Sequence, residues 1–207
     1  MRYRISAFAG MTKSEPMTTI LGIDPGLTHT GWGIINSQQN RLSFVACGRI
    51  TPPVKAVMAL RLKHLHDELS RVLALYAPQE AAMEETFVNV SGASSLKLGQ
   101  ARGALMLTVS LAKLALSEYS ATQVKKSVVG TGHASKEQIA MMVKTLLPAS
   151  NAASADSADA LAVAITHSHM RAFVIPATAS PEASKRRGKA GILNSLQDPR
   201  LRGDKKL

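Results

Sequence analysis

Three short apolar, β-branched runs fill residues 18 to 50, and they constrain the fold more than any other feature of this 207-residue chain. The runs cover 18–24, 31–37 and 41–50, and only a Pro-Gly turn and a polar Ser-Gln-Gln-Asn segment separate them. Runs of this length and composition are typical of strands, and strands joined by such short turns pair in antiparallel order. The chain therefore begins with a predicted three-stranded meander.

Helical and extended patterns alternate in the segments that follow. Apolar residues recur at helical spacing from Val57 to Leu73, and a short apolar run ends at Glu84. The remaining predicted elements are a loop at 86–95, an amphipathic helix at 96–116, a strand at 116–120 and helices near 122–128, 135–147 and 155–171. A meander followed by alternating strands and helices predicts an α/β domain, in which helices flank a mixed five-stranded sheet.

The two ends of the chain differ from its centre. Residues 1–17 show no clear periodicity, and since Met17 could begin a complete domain, we interpret them as a disordered extension or a misassigned start. Residues 173–207 contain Pro, Gly, Ser and a Lys-Arg-Arg run with few core-forming side chains, and are predicted to be a disordered basic tail. The domain itself is expected at 18–172.

Charge and cysteine content narrow the class of protein. The net charge of +11 favours a polyanionic partner, although 18–171 holds 14 basic against ten acidic residues and much of the excess lies at the ends. The single cysteine, Cys47, excludes an internal disulfide framework and a cysteine-rich zinc site, and its apolar run predicts a core position. No apolar stretch has membrane-spanning length and no secretory signal is recognisable, so we expect a cytoplasmic protein without a membrane partner.

Four acids stand where strands end or a helix begins. Asp24 and Glu84 each close an apolar run, while Asp156 and Asp159 are three residues apart and therefore share one helix face. Taken separately, Asp24 is explained equally well as a turn aspartate and Glu84 as a surface glutamate, while helix capping is the better explanation of Asp156 and Asp159. Together they form a candidate carboxylate cluster.

Clustered carboxylates repel one another unless cations lie among them. Two Mg²⁺ or Mn²⁺ ions about 4 Å apart would activate a water and stabilise the leaving oxygen of a phosphodiester. Oxygen ligands without a thiolate favour these ions over zinc. His167 and His169 do not change this expectation, because positions two apart on a helix point in different directions.

Five motifs in order resemble the RuvC family of Holliday-junction resolvases, and the resemblance runs from about Thr18 to Met170. The motifs are Ile20-Leu-Gly-Ile-Asp-Pro-Gly26, Met83-Glu84, Leu96-Lys-Leu-Gly-Gln-Ala-Arg-Gly103, Gln123-Val-Lys125 with Val128-Val-Gly130, and Asp156-Ser-Ala-Asp-Ala-Leu-Ala162.

The resemblance implies an RNase H-like fold and a homodimer that resolves four-way DNA junctions in homologous recombination and DNA repair. It implies Mg²⁺-dependent, paired symmetric nicks, with Mn²⁺ able to substitute, two ions in each active site and the RuvA–RuvB branch-migration complex as partner. Asp24, Glu84, Asp156 and Asp159 would be the catalytic metal ligands.

Further residues are assigned through the same resemblance. Lys125 and Lys136 would lie near the scissile phosphate and stabilise developing charge, although either would also fit a solvated helix surface. Phe87 would insert at the junction and stack on a base, or else anchor its loop to the core. From their place near the start of a predicted helix, Lys97 and Arg102 are candidates for phosphate contacts, although either would also fit a solvated helix surface.

The helix predicted at 96–116 is the expected dimer interface. One apolar stripe along it contains Leu98, Ala101, Leu105, Val109 and Ala112, and further leucines at 96, 107, 111 and 114 widen the surface. Periodicity alone would assign this surface to the core, whereas the resemblance assigns the helix to the dimer.

Two other functions compete with a junction nuclease. An actin-like or sugar-kinase-type ATPase also begins with a strand, an aspartate and a glycine turn, but it needs a second glycine-rich phosphate loop that this chain lacks. A non-catalytic junction-binding protein would have no need of four intact acids.

Overall fold

The computed structural model describes residues 16–85, 92–152 and 154–171, and the expected meander forms one side of its sheet. Strands β1 (Thr18–Asp24), β2 (Thr30–Gln38) and β3 (Arg41–Ile50) pair in antiparallel order. Gln39, with a φ of 53°, makes the tight turn between β2 and β3. The meander is confirmed, with β2 one residue longer at each end than its sequence run.

Two further strands extend the sheet on the other side of β1. Strand β4 (Glu80–Glu85) runs parallel to β1, and β5 (Leu116–Ser120) runs parallel to β4. The order is β3-β2-β1-β4-β5, so the first strand of the meander, β1, lies at the centre of the sheet. A mixed five-stranded sheet is therefore confirmed.

Five helices in the described part of the chain cover the two faces of this sheet. They are α1 (Met58–Tyr76), α2 (Gly92–Leu111), α3 (Ala121–Val129), α4 (Lys136–Leu146) and α5 (Ala155–Arg171). The prediction for α2 was wrong at both ends, because the helix begins four residues earlier and ends five residues earlier than 96–116. Lys113 has a φ of 60°, a left-handed conformation that ends the helix before the apolar pattern ends. Within the described residues, no helix has the length and hydrophobicity needed to span a bilayer.

Two hydrophobic cores lie on opposite faces of the sheet. Leu21, Ile23 and Met83 pack against α1 and α2, whereas Ile20 and Ala82 pack against the layer of α3, α4 and α5. Because side chains alternate along a strand, Gly22 and Asp24 in β1 and Glu84 in β4 face the same side as Ile20 and Ala82. The acids at the strand ends therefore face α5.

Helix α5 lies almost against the backbone of β1 and β2. A Cβ atom added to Gly22 would lie 2.1 Å from the carbonyl oxygen of Ala160, and one added to Gly31 would lie 1.9 Å from the carbonyl oxygen of Asp156. Only glycine permits this approach, since any side chain at either position would occupy the space of the helix backbone. The strand glycines therefore determine how close the start of α5 lies to β1.

A polar network fastens the other end of α5 to the sheet. The Nε2 atom of His167 lies 2.9 Å from a Glu80 carboxylate oxygen, and its Nδ1 lies 2.8 Å from the Tyr119 hydroxyl. Burial lowers the pKa of His167, so the neutral ring donates to Glu80 and accepts from Tyr119. His169 instead faces Ser127, at 3.2 Å. The two histidines thus have separate partners, as their spacing predicted.

Candidate active site

Sheet register brings Asp24 and Glu84 side by side. Ile23 of β1 pairs with Met83 of β4, and the strands are parallel, so the next residue of each strand lies at the same edge. Neighbouring strands are about 4.8 Å apart, and both side chains face α5. Two carboxylates separated by 60 positions in the sequence therefore share one end of the sheet.

The start of α5 adds Asp156, in its first turn, and Asp159 to this edge. Asp24 pairs with Gly31 of β2, and the backbone of Asp156 lies directly over Gly31. The pKa of Asp24 is raised from 3.8 to about 7, first by burial and then by the negative charges of Glu84, Asp159 and Asp156, in that order. The structure therefore places the four predicted acids within one electrostatic cluster, which we call the carboxylate quartet.

Burial, together with repulsion between carboxylates, disfavours the charged forms of Asp24, Glu84 and Asp159. Burial raises the pKa of Glu84, and the charge of Asp159 adds to the effect. Burial also raises the pKa of Asp159, with a smaller contribution from Asp156. Bound cations would remove this repulsion, and the site therefore has the electrostatics of a metal-binding centre.

The donor set of the quartet fits a hard divalent cation. All its side-chain donors are carboxylate oxygens, which Mg²⁺ and Mn²⁺ prefer and which soft thiophilic metals do not. In 16–85, 92–152 and 154–171, no three histidine, cysteine or acidic side chains lie close enough together to hold a metal ion as they stand. A cation bound by the quartet would therefore have to draw its carboxylates together.

Two lysines oppose the charge of the quartet, while their contact with the scissile phosphate stays a prediction. Lys136, the first residue of α4, lowers the pKa of Asp24, Glu84 and Asp159, and Lys125 of α3 lowers that of Glu84. The Ser135 side chain caps α4 by accepting from the backbone N–H of Gln138, whose side chain in turn accepts from the Ser135 N–H. This capping box holds the first turn of α4, and with it the backbone of Lys136, beside the quartet.

Arg102 has protein partners where the sequence predicted a DNA phosphate. Its guanidinium donates to the backbone carbonyl oxygen of Glu84 and to the carboxylate of Glu118 on β5, and its side chain is only 15% exposed. The helix pattern indicated that a basic residue was present but contained no information about partners on β4 and β5. Arg102 holds the end of β4 that carries Glu84, which makes it a positioning residue, and its contact with a DNA phosphate stays a prediction.

The remaining predicted DNA contacts are not tested by the geometry. Lys97 is exposed in the first half of α2, where its role in binding phosphate stays a prediction. Phe87 lies outside the described residues, and its role at the junction also stays a prediction.

Sequence reasoning missed one basic residue of the site. The Nη1 atom of Arg49, near the end of β3, lies 3.6 Å from the Oδ2 atom of Asp156. No motif marks this arginine, since it stands in an ordinary strand run, and only the packing of α5 on the sheet brings it to the quartet. Glycines at 22, 31 and 33 inside strand patterns were the available signal that a backbone approaches closely there.

Comparison with known proteins identifies related sequences over most of the chain. Residues 20–167 match the family model "Crossover junction endodeoxyribonuclease RuvC". A relative of that name from Paramagnetospirillum magneticum is 60% identical over 152 residues, which are 73% of this chain and 92% of the relative. Another from Rhodopseudomonas palustris is 57% identical over 152 residues, covering 73% of this chain and 87% of the relative.

Solved structures with the same architecture support this relationship. Thermus thermophilus RuvC, solved in complex with a Holliday junction substrate, is 30% identical, has a TM-score of 0.71 and is matched over 75% of this chain and 96% of its own. The yeast mitochondrial Holliday junction resolvase is 14% identical with a TM-score of 0.57, over 78% of this chain and 82% of its own, and shows the shared fold alone. The RNase H-like fold is therefore confirmed, and nucleases of this kind depend on metal ions. The chain belongs to the RuvC family of crossover junction endodeoxyribonucleases.

Proposed function

We propose that this protein binds four-way DNA junctions and resolves them by paired symmetric nicks, in homologous recombination and DNA repair. The carboxylate quartet carries the proposal, because four acids from β1, β4 and α5 meet at one edge of the sheet and repel one another. Such a site is suited to metal-assisted hydrolysis of a phosphodiester. Relatives that are more than half identical carry the name of crossover junction endodeoxyribonucleases.

Mg²⁺ is the proposed cofactor, with two ions in each active site and Mn²⁺ able to substitute. Asp24, Glu84, Asp156 and Asp159 would hold them, since their oxygens are the hard donors that these cations prefer. When bound, the metal supplies an activated water and stabilises the leaving oxygen of the cleaved strand.

The chain's own residues position the scissile phosphate and balance its charge. Lys136 and Lys125 lie close enough to the quartet to affect its carboxylates, and they would donate to phosphate oxygens as negative charge develops. Arg102 keeps the end of β4 in place through the Glu84 carbonyl, so that the Glu84 side chain stays beside Asp24. Lys97 would contact the DNA backbone and Phe87 would stack on a base near the crossover.

We propose a homodimer built on the outer face of α2. Three leucines on this face are strongly exposed, with Leu96, Leu107 and Leu111 at 65%, 59% and 64%. Gly103 lies between them on the same stripe, and a Cβ added there would meet nothing within 4 Å. Ala101, Leu105 and Val109 on the other side of the helix point inward, because they are completely buried against α1 and the sheet. The interface is therefore the opposite face of the helix, and twofold symmetry would present one active site to each of two opposed strands.

Leu107→Glu is expected to convert the protein to a monomer, because it buries a charge at the centre of the proposed interface. Size-exclusion chromatography with light scattering measures the mass directly. Met141→Glu on α4, where the side chain is 71% exposed on the opposite side of the sheet, should leave the dimer intact. A dimeric Leu107→Glu protein at the same concentration would disprove this interface.

The remaining proposals concern the setting in which the enzyme works. Residues 18–172 would form the nuclease domain, which is consistent with a family match that begins at residue 20 and ends at residue 167. By the family resemblance, the RuvA–RuvB branch-migration complex would deliver the junction in the cytoplasm.

Incubation of the full chain with a labelled four-way junction that has a homologous, mobile core tests the function. We expect paired nicks at symmetric positions on two opposed strands with Mg²⁺, and none with EDTA or on linear duplex of the same sequence. Junction binding without nicks under any metal condition would instead support a non-catalytic binder. ATP turnover by the purified chain would support the ATPase alternative.

A further inference from the structure

A polar cleft of about 390 Å³ lies beside the quartet, between the end of β3 and the start of α5. The side chains that line it combine one guanidinium with neutral hydrogen-bonding groups and a thiol, and belong to Cys47, Arg49, Thr51, Asn151, Ser154 and Ser157. No carboxylate belongs to the described lining of this cleft. A concave site with one cation and several neutral donors suits an anion with several oxygens.

The sheet register places Arg49 in line with Asp24. Asp24 pairs with Gly31, and Gly31 pairs with Arg49, so the three residues form one row across β1, β2 and β3. Directly paired residues point to the same face, and two strand spacings separate the ends of this row by about 10 Å. Gly31 has no side chain, and the backbone of Asp156 occupies the space above it. Arg49 reaches Asp156 from the far side of that gap.

Arg49 is placed to bind a second ligand as well as Asp156. Its side chain remains 44% exposed although one nitrogen lies 3.6 Å from the Asp156 carboxylate. A guanidinium has five donors, so a single carboxylate contact leaves capacity for a bidentate contact with phosphate oxygens. Because a DNA strand carries one phosphate for each nucleotide, a cation about 10 Å from Asp24 lies within reach of a neighbouring phosphate of a strand held at the quartet.

We propose that this cleft binds a non-scissile backbone phosphate of the strand being cut, with Arg49 as the phosphate-binding residue. The inference rests on the proposed function, because it assumes that junction DNA lies across the quartet. Arg49 then contacts a metal-binding acid and the DNA backbone together, and it fixes the register of the strand relative to the quartet. Thr51, Asn151 and Ser154 supply neutral donors around the same phosphate.

Cys47 provides a local probe of the cleft, because it is the only cysteine of the chain and it lines the same wall. It is partly exposed rather than in the core as the sequence predicted, and burial raises its pKa. We expect junction DNA to slow alkylation of Cys47 by N-ethylmaleimide about tenfold in metal-free buffer. Unchanged alkylation when anisotropy shows the junction to be fully bound would overturn the proposal.

A neutral methylphosphonate placed at single positions on either side of the nick site identifies the phosphate. We expect one position to weaken junction binding about tenfold in the unchanged protein. Arg49→Gln should weaken binding of the ordinary junction by a similar factor. A methylphosphonate at the position identified in this way should then cause no further loss of binding in the Arg49→Gln protein. Arg41→Gln is the matched control, since Arg41 is the exposed first residue of the same strand at the far end from the quartet.

An arginine that serves only to hold Asp156 would behave differently. Arg49→Gln would then change the Mg²⁺ concentration needed for nicking, while junction affinity, the methylphosphonate response and Cys47 protection stayed as in the unchanged protein. That result would overturn the proposal. All three binding measurements are made without metal and do not depend on nicking. A protein that binds junctions but does not nick them would therefore disprove the proposed activity, while the binding of phosphate by the cleft could still be tested.

Discussion

Asp24→Asn is expected to bind a four-way junction about as tightly as the unchanged protein and to nick it on the order of 10³-fold more slowly. Asparagine keeps the size of the side chain but removes the charge that would hold a cation beside Glu84. Metal assistance lowers the barrier to phosphodiester hydrolysis by several kcal/mol, and each 1.36 kcal/mol is about tenfold in rate. Gel-shift binding and single-turnover nicking in Mg²⁺ measure the two properties separately.

The same variant should be more stable than the unchanged protein when no metal is present. The pKa of Asp24 is about 7 in the fold against 3.8 for the ordinary side chain, so the folded protein retains a proton that the unfolded chain loses. The stabilisation of the folded state by this proton is complete below about pH 4 and is lost as the pH rises through 7. The substituted asparagine does not titrate, so Asp24→Asn should be more stable at pH 8 by about 4 kcal/mol, and the advantage should vanish at about pH 4.

Urea unfolding at the two pH values, with EDTA and with Mg²⁺, checks this expectation. Mg²⁺ should stabilise the unchanged protein at pH 8 and should have much less effect on Asp24→Asn. Asp67→Asn is a suitable control, since Asp67 is an exposed residue of α1 that pairs with Lys63 and should not affect nicking. Normal nicking by Asp24→Asn would show that the quartet is not the catalytic centre.

Gly22→Ala is expected to destabilise the fold by about 3 kcal/mol or more. The added methyl group would lie 2.1 Å from the Ala160 carbonyl oxygen and 2.7 Å from the Ala164 backbone nitrogen, and a helix backbone cannot move aside as a flexible side chain does. Helix α5 must shift away from β1, which also moves Asp156 and Asp159 away from Asp24. Nicking should therefore fall together with stability.

Thermal and urea unfolding at one fixed protein concentration test this prediction. Gly92→Ala adds the same methyl group at the start of α2, where it meets nothing within 4 Å, and should change stability by less than about 1 kcal/mol. An unfolding free energy for Gly22→Ala close to that of the control would show that α5 does not pack as closely on β1 as the structure indicates.

Much of this architecture could be predicted because it depends on local patterns. Alternating and β-branched runs predicted β1, β2 and β3 within one residue, since strand length and short turns are encoded by neighbouring residues. Asp24 and Glu84 were recognised because each closes such a run. Parallel strands that end at one edge then bring their last residues together, which is a general consequence of sheet geometry.

Other features could not be predicted because they depend on distant partners. The apolar pattern of α2 continues past Leu111, but the left-handed backbone at Lys113 ends the helix there. Periodicity also indicated a wide apolar surface on this helix without distinguishing the buried side from the exposed one. Only packing on the sheet showed that Leu105 points inward and Leu107 outward.

The sequence by itself determined the order of the elements, the candidate acids and the family, because periodicity, turn chemistry and the order of motifs depend on neighbouring residues. The tertiary structure decided how those elements act together. In the folded protein Arg102 contacts Glu84 and Glu118, and Arg49 contacts Asp156. These contacts join residues far apart in sequence, and their geometry follows from sheet register and from the close approach of α5 over strand glycines. No local sequence pattern predicts how closely α5 approaches the strands, since this distance is set only when the whole sheet and the helix pack together.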